Sequence, residues 1–151
     1  MIYQFKSGSF IRADAQIAGE MCERLAEQGT LTPRSLLDAN RDENAPLHNC
    51  FEWDDNAAAE LYRESQARHI INCLCVVSKE KEPVRAYFNI VSSESPGYQH
   101  VNTIMQKQDD TERLLEMALK ELEAFKRKYN QLRQLAPVFN ALDSLERKVS
   151  A

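Results

Sequence analysis

An α+β fold is predicted for this 151-residue chain: a helical N-terminal part, a central β-hairpin or small antiparallel sheet, and a long C-terminal helix kinked at Pro137. Three observations carry the prediction. Glycine and proline number only four and five, too few breakers for a chain of many short elements. Apolar residues recur at helical spacing near both ends, and between them stand one branched apolar run and one two-residue alternation, both β signals. The chain is long enough for one buried core. We divide it into a compact α+β core, 1–108, and a C-terminal helical segment, 109–151, that packs or oligomerises.

At the start, Tyr3 and Phe5 alternate with polar residues, as in a short strand or an ordered tail. A helix is expected over 13–28, with Ile17, Met21 and Leu25 on one stripe beside Ala18 and Cys22, and Gly29 as its stop. Thr32-Pro33 opens a second helix over 33–40, because Thr caps and Pro at the first helical position lacks only an N–H that had no partner. A polar loop follows, and Leu47, Phe51 and Trp53 are expected to pin it into the core. Asp54 or Asp55 caps a third helix, 55–70, whose start is rich in alanine and whose inner face is expected to hold Ala58, Leu61, Tyr62, Ser65 and His69.

Residues 71–78 are continuously apolar and branched, a buried strand. After a charged turn, Val84, Ala86, Phe88 and Ile90 alternate with Arg85, Tyr87 and Asn89, which predicts a second strand over 84–91 and a hairpin with the first. A loop over 92–97 leads to 98–106, which fits either a third strand or a short helix. Asp109 with Glu112 three residues on has the form of a capping box. From there Leu115, Ala118, Leu122, Phe125, Tyr129, Leu132 and Ala136 step by threes and fours, the spacing of a helical seam over about three heptads, in a helix expected over 109–135. Pro137 interrupts it, and Val138, Leu142, Leu145 and Val149 resume an apolar stripe. The expected core is Ile17, Met21, Leu25, Leu36, Trp53, Leu61, Leu74, Val76, Phe88 and Ile90.

The charge balance narrows function. Nineteen Lys and Arg against 23 Asp and Glu leave a formal charge of −4, unlike a general nucleic-acid binder. The opening Met-Ile-Tyr-Gln-Phe-Lys has no apolar run of leader length, and no 18-residue apolar stretch occurs. A cytoplasmic setting with reduced thiols is therefore expected, and no membrane association. Glycines 8, 19, 29 and 97 form no phosphate-cradling loop, and no nucleophile elbow or paired CxxC is present.

The sites weighed are few. His48, Cys50, His69, Cys73 and Cys75 are the right atom types for zinc, but their spacing matches no known finger or ribbon. Core histidines and buried thiols explain them better, so no metal is assigned. Cys50 with His48 or His69 would make a nucleophile and base, yet the neighbouring Glu52, Asp54 and Asp55 would raise the thiol pKa. Those acids could instead hold Mg²⁺, although capping accounts for one of them. No cofactor and no enzymatic activity are expected.

The central block resembles a motif of small phage and prophage proteins. The residues that carry the resemblance are Pro46-Leu47-His48, Phe51-Glu52-Trp53-Asp54-Asp55, Ala58-Ala59, Tyr62-Arg63 and Gln66-Ala67-Arg68, with Leu31-Thr32-Pro33 upstream. A strand like 83–87 and a helix like 122–139 follow, so the similarity covers most of 30–140. It implies a phage or prophage context and a bacterial host cytoplasm, and it carries over no catalytic residue.

The expected function is that of a non-enzymatic accessory protein. It would associate with itself through Leu115, Leu122, Phe125, Tyr129, Leu132, Leu142 and Leu145, as a homodimer or higher oligomer. It would offer Asp42, Glu43, Glu52, Asp54, Asp55 and Glu60, a stretch free of Lys and Arg, to a macromolecular partner such as a host or phage DNA-processing or defence protein. The alternative is a DNA-binding accessory factor that uses a helix-turn-helix-like segment, 31–70, and the cations Arg63, Arg68, Lys126, Arg127 and Lys128. A small metal-dependent enzyme is the second alternative.

Overall fold

The computed structural model describes residues 1–55, 59–91 and 97–150. The fold is α+β, with small antiparallel sheets among helices. The chain divides into two compact units, Met1–Lys107 and Gln108–Ala151. Ala57 and Ala58, the expected start of the third helix, and residues 92–96 of the expected loop lie outside the described residues.

In the first unit, strand β1 (Ile2–Phe5) leads to helix α1 (Ala15–Glu27). Asp14 caps α1 by accepting from Ile17 N at 3.0 Å. Gly29 ends it at φ +68°, where the missing Cβ removes the penalty of the left-handed conformation. The buried stripe is rotated from the expected one. It runs through Ala18, Gly19, Met21 and Cys22, while Ile17 is exposed and Leu25 half-buried. Gly19 is the physical reason. A Cβ there would lie 2.1 Å from Tyr3 Cγ, so the Tyr3 ring packs on bare backbone and draws that side of α1 inward. Gln16 accepts from Tyr3 N at 3.0 Å and donates to Met1 O at 2.8 Å, occupying backbone groups on the outer edge of β1.

Helix α2 (Pro33–Asp38) opens with the expected Thr32 cap. Thr32 Oγ1 accepts from Ser35 N, and Ser35 Oγ accepts from Thr32 N. Leu31, Leu36 and Leu37 are fully buried. Helix α3 (Ala59–Cys73) runs three residues beyond the expected end, so Cys73 is helical. Its inner face is Ala59, Arg63, Ala67, Ile70 and Ile71, at steps of three and four. The face expected around Leu61 and Tyr62 points to solvent, with Leu61 73% exposed. Small alanines and a paired arginine let α3 approach its neighbours more closely than a leucine stripe would, and apolar pattern alone does not reveal that.

Strand β2 (Leu74–Ser78) lies between β1 and β3 (Lys81–Arg85) in an antiparallel sheet, with Tyr3 opposite Val76 and Val76 opposite Val84. The turn of the hairpin is shorter than expected, only Lys79-Glu80, and β3 carries the edge-tolerated Pro83. Strand β4 (Tyr87–Asn89) leaves that sheet and pairs instead with β5 (Tyr98–His100). The expected alternation fails at this break. Val84 is exposed, Phe88 is half-buried, and Tyr87, read as outward, is fully buried. The ambiguous stretch after residue 97 is both strand and helix: β5, then α4 (Val101–Gln106). Met21, Leu36, Leu74 and Ile90 are buried as expected, whereas Trp53 and Val76 are only half-buried.

The second unit is a helical hairpin. Helix α5 (Gln108–Tyr129) ends before the seam does, and α6 (Ala136–Val149) follows a short 3-10 turn at Arg133–Leu135. Phe125 packs edge-on against Phe139 at 6.3 Å, while Glu123, earlier on α5, lies beside Glu146, later on α6, so the helices run antiparallel; Lys126 meets Asp143 at 2.6 Å between them. The expected single helix kinked at Pro137 is therefore corrected to two helices. Pro137 sits in the first turn of α6, where its missing N–H breaks no bond. Asp109 lies in the first turn of α5, not ahead of it as a cap.

Candidate functional site

The acidic stretch resolves into two parts. Arg34 meets Glu60 Oε1 at 2.6 Å, Arg41 binds the same oxygen, and Arg63 reaches Glu60 Oε2 at 3.1 Å. These arginines, Arg41 foremost, hold the Glu60 carboxyl below its ordinary pKa. Glu60 is thus the hub of an arginine cluster. Asp42, Glu43, Glu52, Asp54 and Asp55 remain exposed on the loop. Asp42 accepts from Asn44 N at 2.8 Å, and Glu52 accepts from Asp54 N at 3.1 Å, so two of these acids also fix local turns.

Arg63 is the organising side chain of this region. It is 5% exposed, donates to Glu52 O at 2.5 Å and to Asp55 at 2.6 Å, and lies 4.9 Å from the centre of the Trp53 ring. Its carboxylate partners, Asp55 first, raise its pKa further. The expectation that Arg63 reads DNA is corrected: the guanidinium is buried and already bonded to two carboxylates and a carbonyl, so it is not presented to a phosphate. Trp53 stacks on His48 at 4.5 Å, tilts against Phe51 at 5.9 Å and donates its indole N–H to His48 O at 2.8 Å. The loop is pinned as expected, but against its own side chains as much as against the core.

Asn40, which no sequence pattern singles out, completes the clamp. Fully buried, it donates to Leu36 O at 2.8 Å and accepts from Leu47 N at 3.0 Å, and its own carbonyl is 3.0 Å from His48 Nδ1. Polar core residues of this kind leave no periodic trace in a sequence.

The histidines and cysteines do not converge. His69 and Cys73 are one turn apart on α3, with Nδ1 3.6 Å from Sγ. Cys50 and His69 border one cleft of about 420 Å³ with Phe10, Arg12, Tyr62 and Gln66. The Cys50 thiol donates to Arg12 O at 3.5 Å, and burial raises its pKa, as it does for Cys73 and Cys75. Cys22 is pushed up to about 12 by burial. Such thiols are poor nucleophiles at neutral pH. Among the described residues, the carboxylates of Glu123, Asp143 and Glu146 are the cluster dense enough to recruit a cation, and Lys126 already sits on Asp143.

A second polar group lies between α1 and β5. Tyr3 and Tyr87 join their hydroxyls at 3.2 Å, and Tyr87 donates to Gly19 O at 3.1 Å. His100 packs edge-on against both rings. Its Nδ1 accepts from Asn102 N at 3.1 Å and caps α4, which puts the proton of the neutral ring on Nε2. That N–H has no hydrogen-bond partner among the described residues. Burial lowers the His100 pKa, opposed by the Glu23 carboxylate and reinforced by the N-terminal amine.

In the C-terminal unit, Leu115, Leu122 and Phe125 are 40–45% exposed, and Ala118 is exposed with them on one line of α5. Leu132 and Leu145 are also exposed and Tyr129 is half-buried, but Leu142 is 6% exposed. Leu142 is thus corrected from an association residue to an interior one. Of the remaining cations, Arg68 is exposed on α3, Arg127 stands 4.0 Å from Glu123, and Lys128 lies over the Tyr129 ring at 5.2 Å. No described helix is long and apolar enough to cross a membrane. No family model, curated protein or solved structure matches this chain.

Proposed function

We propose that this protein is a non-enzymatic interaction protein that associates with itself through its C-terminal helical unit and presents its acidic loop to a further macromolecule. The observation that carries the reading is the line Leu115, Ala118, Leu122 and Phe125 on α5, four adjacent seam positions that stay exposed even though Phe125 also touches Phe139 of α6. The hairpin leaves these side chains exposed, and open apolar lines of this kind mark association surfaces. The exposed Asp42, Glu43, Glu52, Asp54 and Asp55 supply a negative surface, held in shape by Arg63 and Asn40, that suits a basic partner. The resemblance of 46–68 to small phage and prophage proteins supports an accessory role in a bacterial host cytoplasm.

The test is sedimentation of the wild-type protein beside a variant carrying Leu115→Glu and Leu122→Glu. Neither side chain is buried, so far-UV circular dichroism stays unchanged. The wild type sediments as an oligomer and the variant as a 17.3 kDa chain. Equal sedimentation of the two removes the proposal.

A further inference from the structure

We infer that the occupant of the α5 seam is a second copy of the same helix laid antiparallel, with the pairing centred near residue 120; this inference rests on the self-association proposed above. Side-chain volume supports it first. In a parallel pair each seam residue meets itself, which stacks Phe125 on Phe125 and leaves Ala118 facing Ala118, one layer overfilled and one empty. Reversing one helix about residue 120 places Leu115 against Phe125 of the second copy and Ala118 against Leu122. Every layer then joins a larger residue to a smaller one, and the volume is even along the seam.

Charge supports it independently. The N-terminal half of α5 exposes Asp109, Glu112 and Glu116, while its Arg113 is engaged with Asp110 at 3.4 Å. The C-terminal half carries Lys120, Lys126, Arg127 and Lys128 against Glu121 and Glu123, with Arg127 4.0 Å from Glu123 and Lys126 held by Asp143, so it is basic on balance. A parallel pair sets acid beside acid and base beside base. An antiparallel pair sets each acidic end beside a basic end, and the two helix dipoles oppose favourably as well.

The pairing makes a register-specific prediction. Leu115→Cys and Phe125→Cys are made separately, and each variant is first shown to keep the wild-type circular dichroism and sedimentation. Under mild oxidation neither variant alone forms a covalent dimer, because residue 115 lies about 15 Å along the axis from its copy, far beyond disulfide reach. Mixing the two variants gives the covalent dimer, and the wild type, with its own four cysteines, serves as the blank. A second reading needs no variant. Raising salt from about 0.05 to 0.3 M screens the end-to-end attraction and weakens the antiparallel dimer severalfold. Cross-linking of either variant with itself, or a dimer tightened by salt, overturns the antiparallel pairing while leaving self-association intact. A monomeric wild-type protein overturns both.

Discussion

Trp53 shows how one side chain holds a long loop in place. Its ring packs against both His48 and the Arg63 guanidinium, and its N–H is bonded to the loop backbone. Because the ring is only half-buried, Trp53→Ala costs about 3 kcal/mol, the lower end for tryptophan truncation, as read from a denaturant melt. Gly19→Ala forces a methyl into the Tyr3 ring. It lowers stability by about 1–3 kcal/mol, whereas an alanine on an open helix face would add stability. His100 gives a pH signature. Its folded pKa lies below the ordinary value of about 6.5, so the unfolded chain binds the proton first. Its contribution is complete above that pH and is lost as pH falls through the folded pKa. His100→Asn keeps an acceptor for Asn102 N and removes the titrating ring, so melts of the variant between about pH 7 and 5.5 are flatter than those of the wild type. The Thr32 cap and the Gly29 stop could be read in advance because each acts through its own backbone. Arg63, Asn40 and His100 could not, because their partners are eleven, seven and more residues away in the chain.

Elements came through the sequence where periodicity was local and were misjudged where a contact overrode it. Both ends of α2 lie within two residues of expectation, fixed by Pro33 at one end and by a short polar loop at the other. Helix α3 extended into the apolar run because Ile70, Ile71 and Cys73 are buried as helix residues, and branched side chains tolerate a helix once its tertiary packing is favourable. The strand after it was shortened accordingly, and the exchange of partners at Ala86, which donates to Leu74 O and accepts from Val101 N, has no two-residue signature. The C-terminal break illustrates the opposite case. The sequence marks a break at Pro137, but its position in the first turn of α6 and not inside a helix depends on where α5 ends. Pro137→Ala therefore changes stability by less than about 1 kcal/mol, against about 3 for a proline inside a helix, and thermal melts of the variant distinguish the two. In the hairpin itself, burial and a hydrogen bond shared with Glu123 raise the Glu146 pKa, a sign of crowded carboxylates. Glu146→Gln relieves the repulsion and raises the melting temperature.

At the scale of the whole molecule, the first unit is built on one buried core, while the second leaves most of its large apolar side chains at the surface. Residues 1–107 bury the leucines of α2, the aromatic cluster of Tyr3 and Tyr87, and the inner face of α3 around one core. The hairpin 108–151 buries Phe139 and Leu142 but leaves Leu115, Leu122, Phe125, Leu132, Val138, Leu145 and Val149 at the surface. That surplus was visible in the sequence as two apolar stripes near the chain end. Its division into an interior Leu142 and an open α5 line required the turn after Tyr129. The central claim is that this line is an association surface for a second copy. Light scattering on a dilution series of the wild-type protein tests it most directly. The account predicts a mass of twice 17.3 kDa at micromolar concentration, falling toward 17.3 kDa on dilution. A mass of 17.3 kDa at every concentration would contradict it.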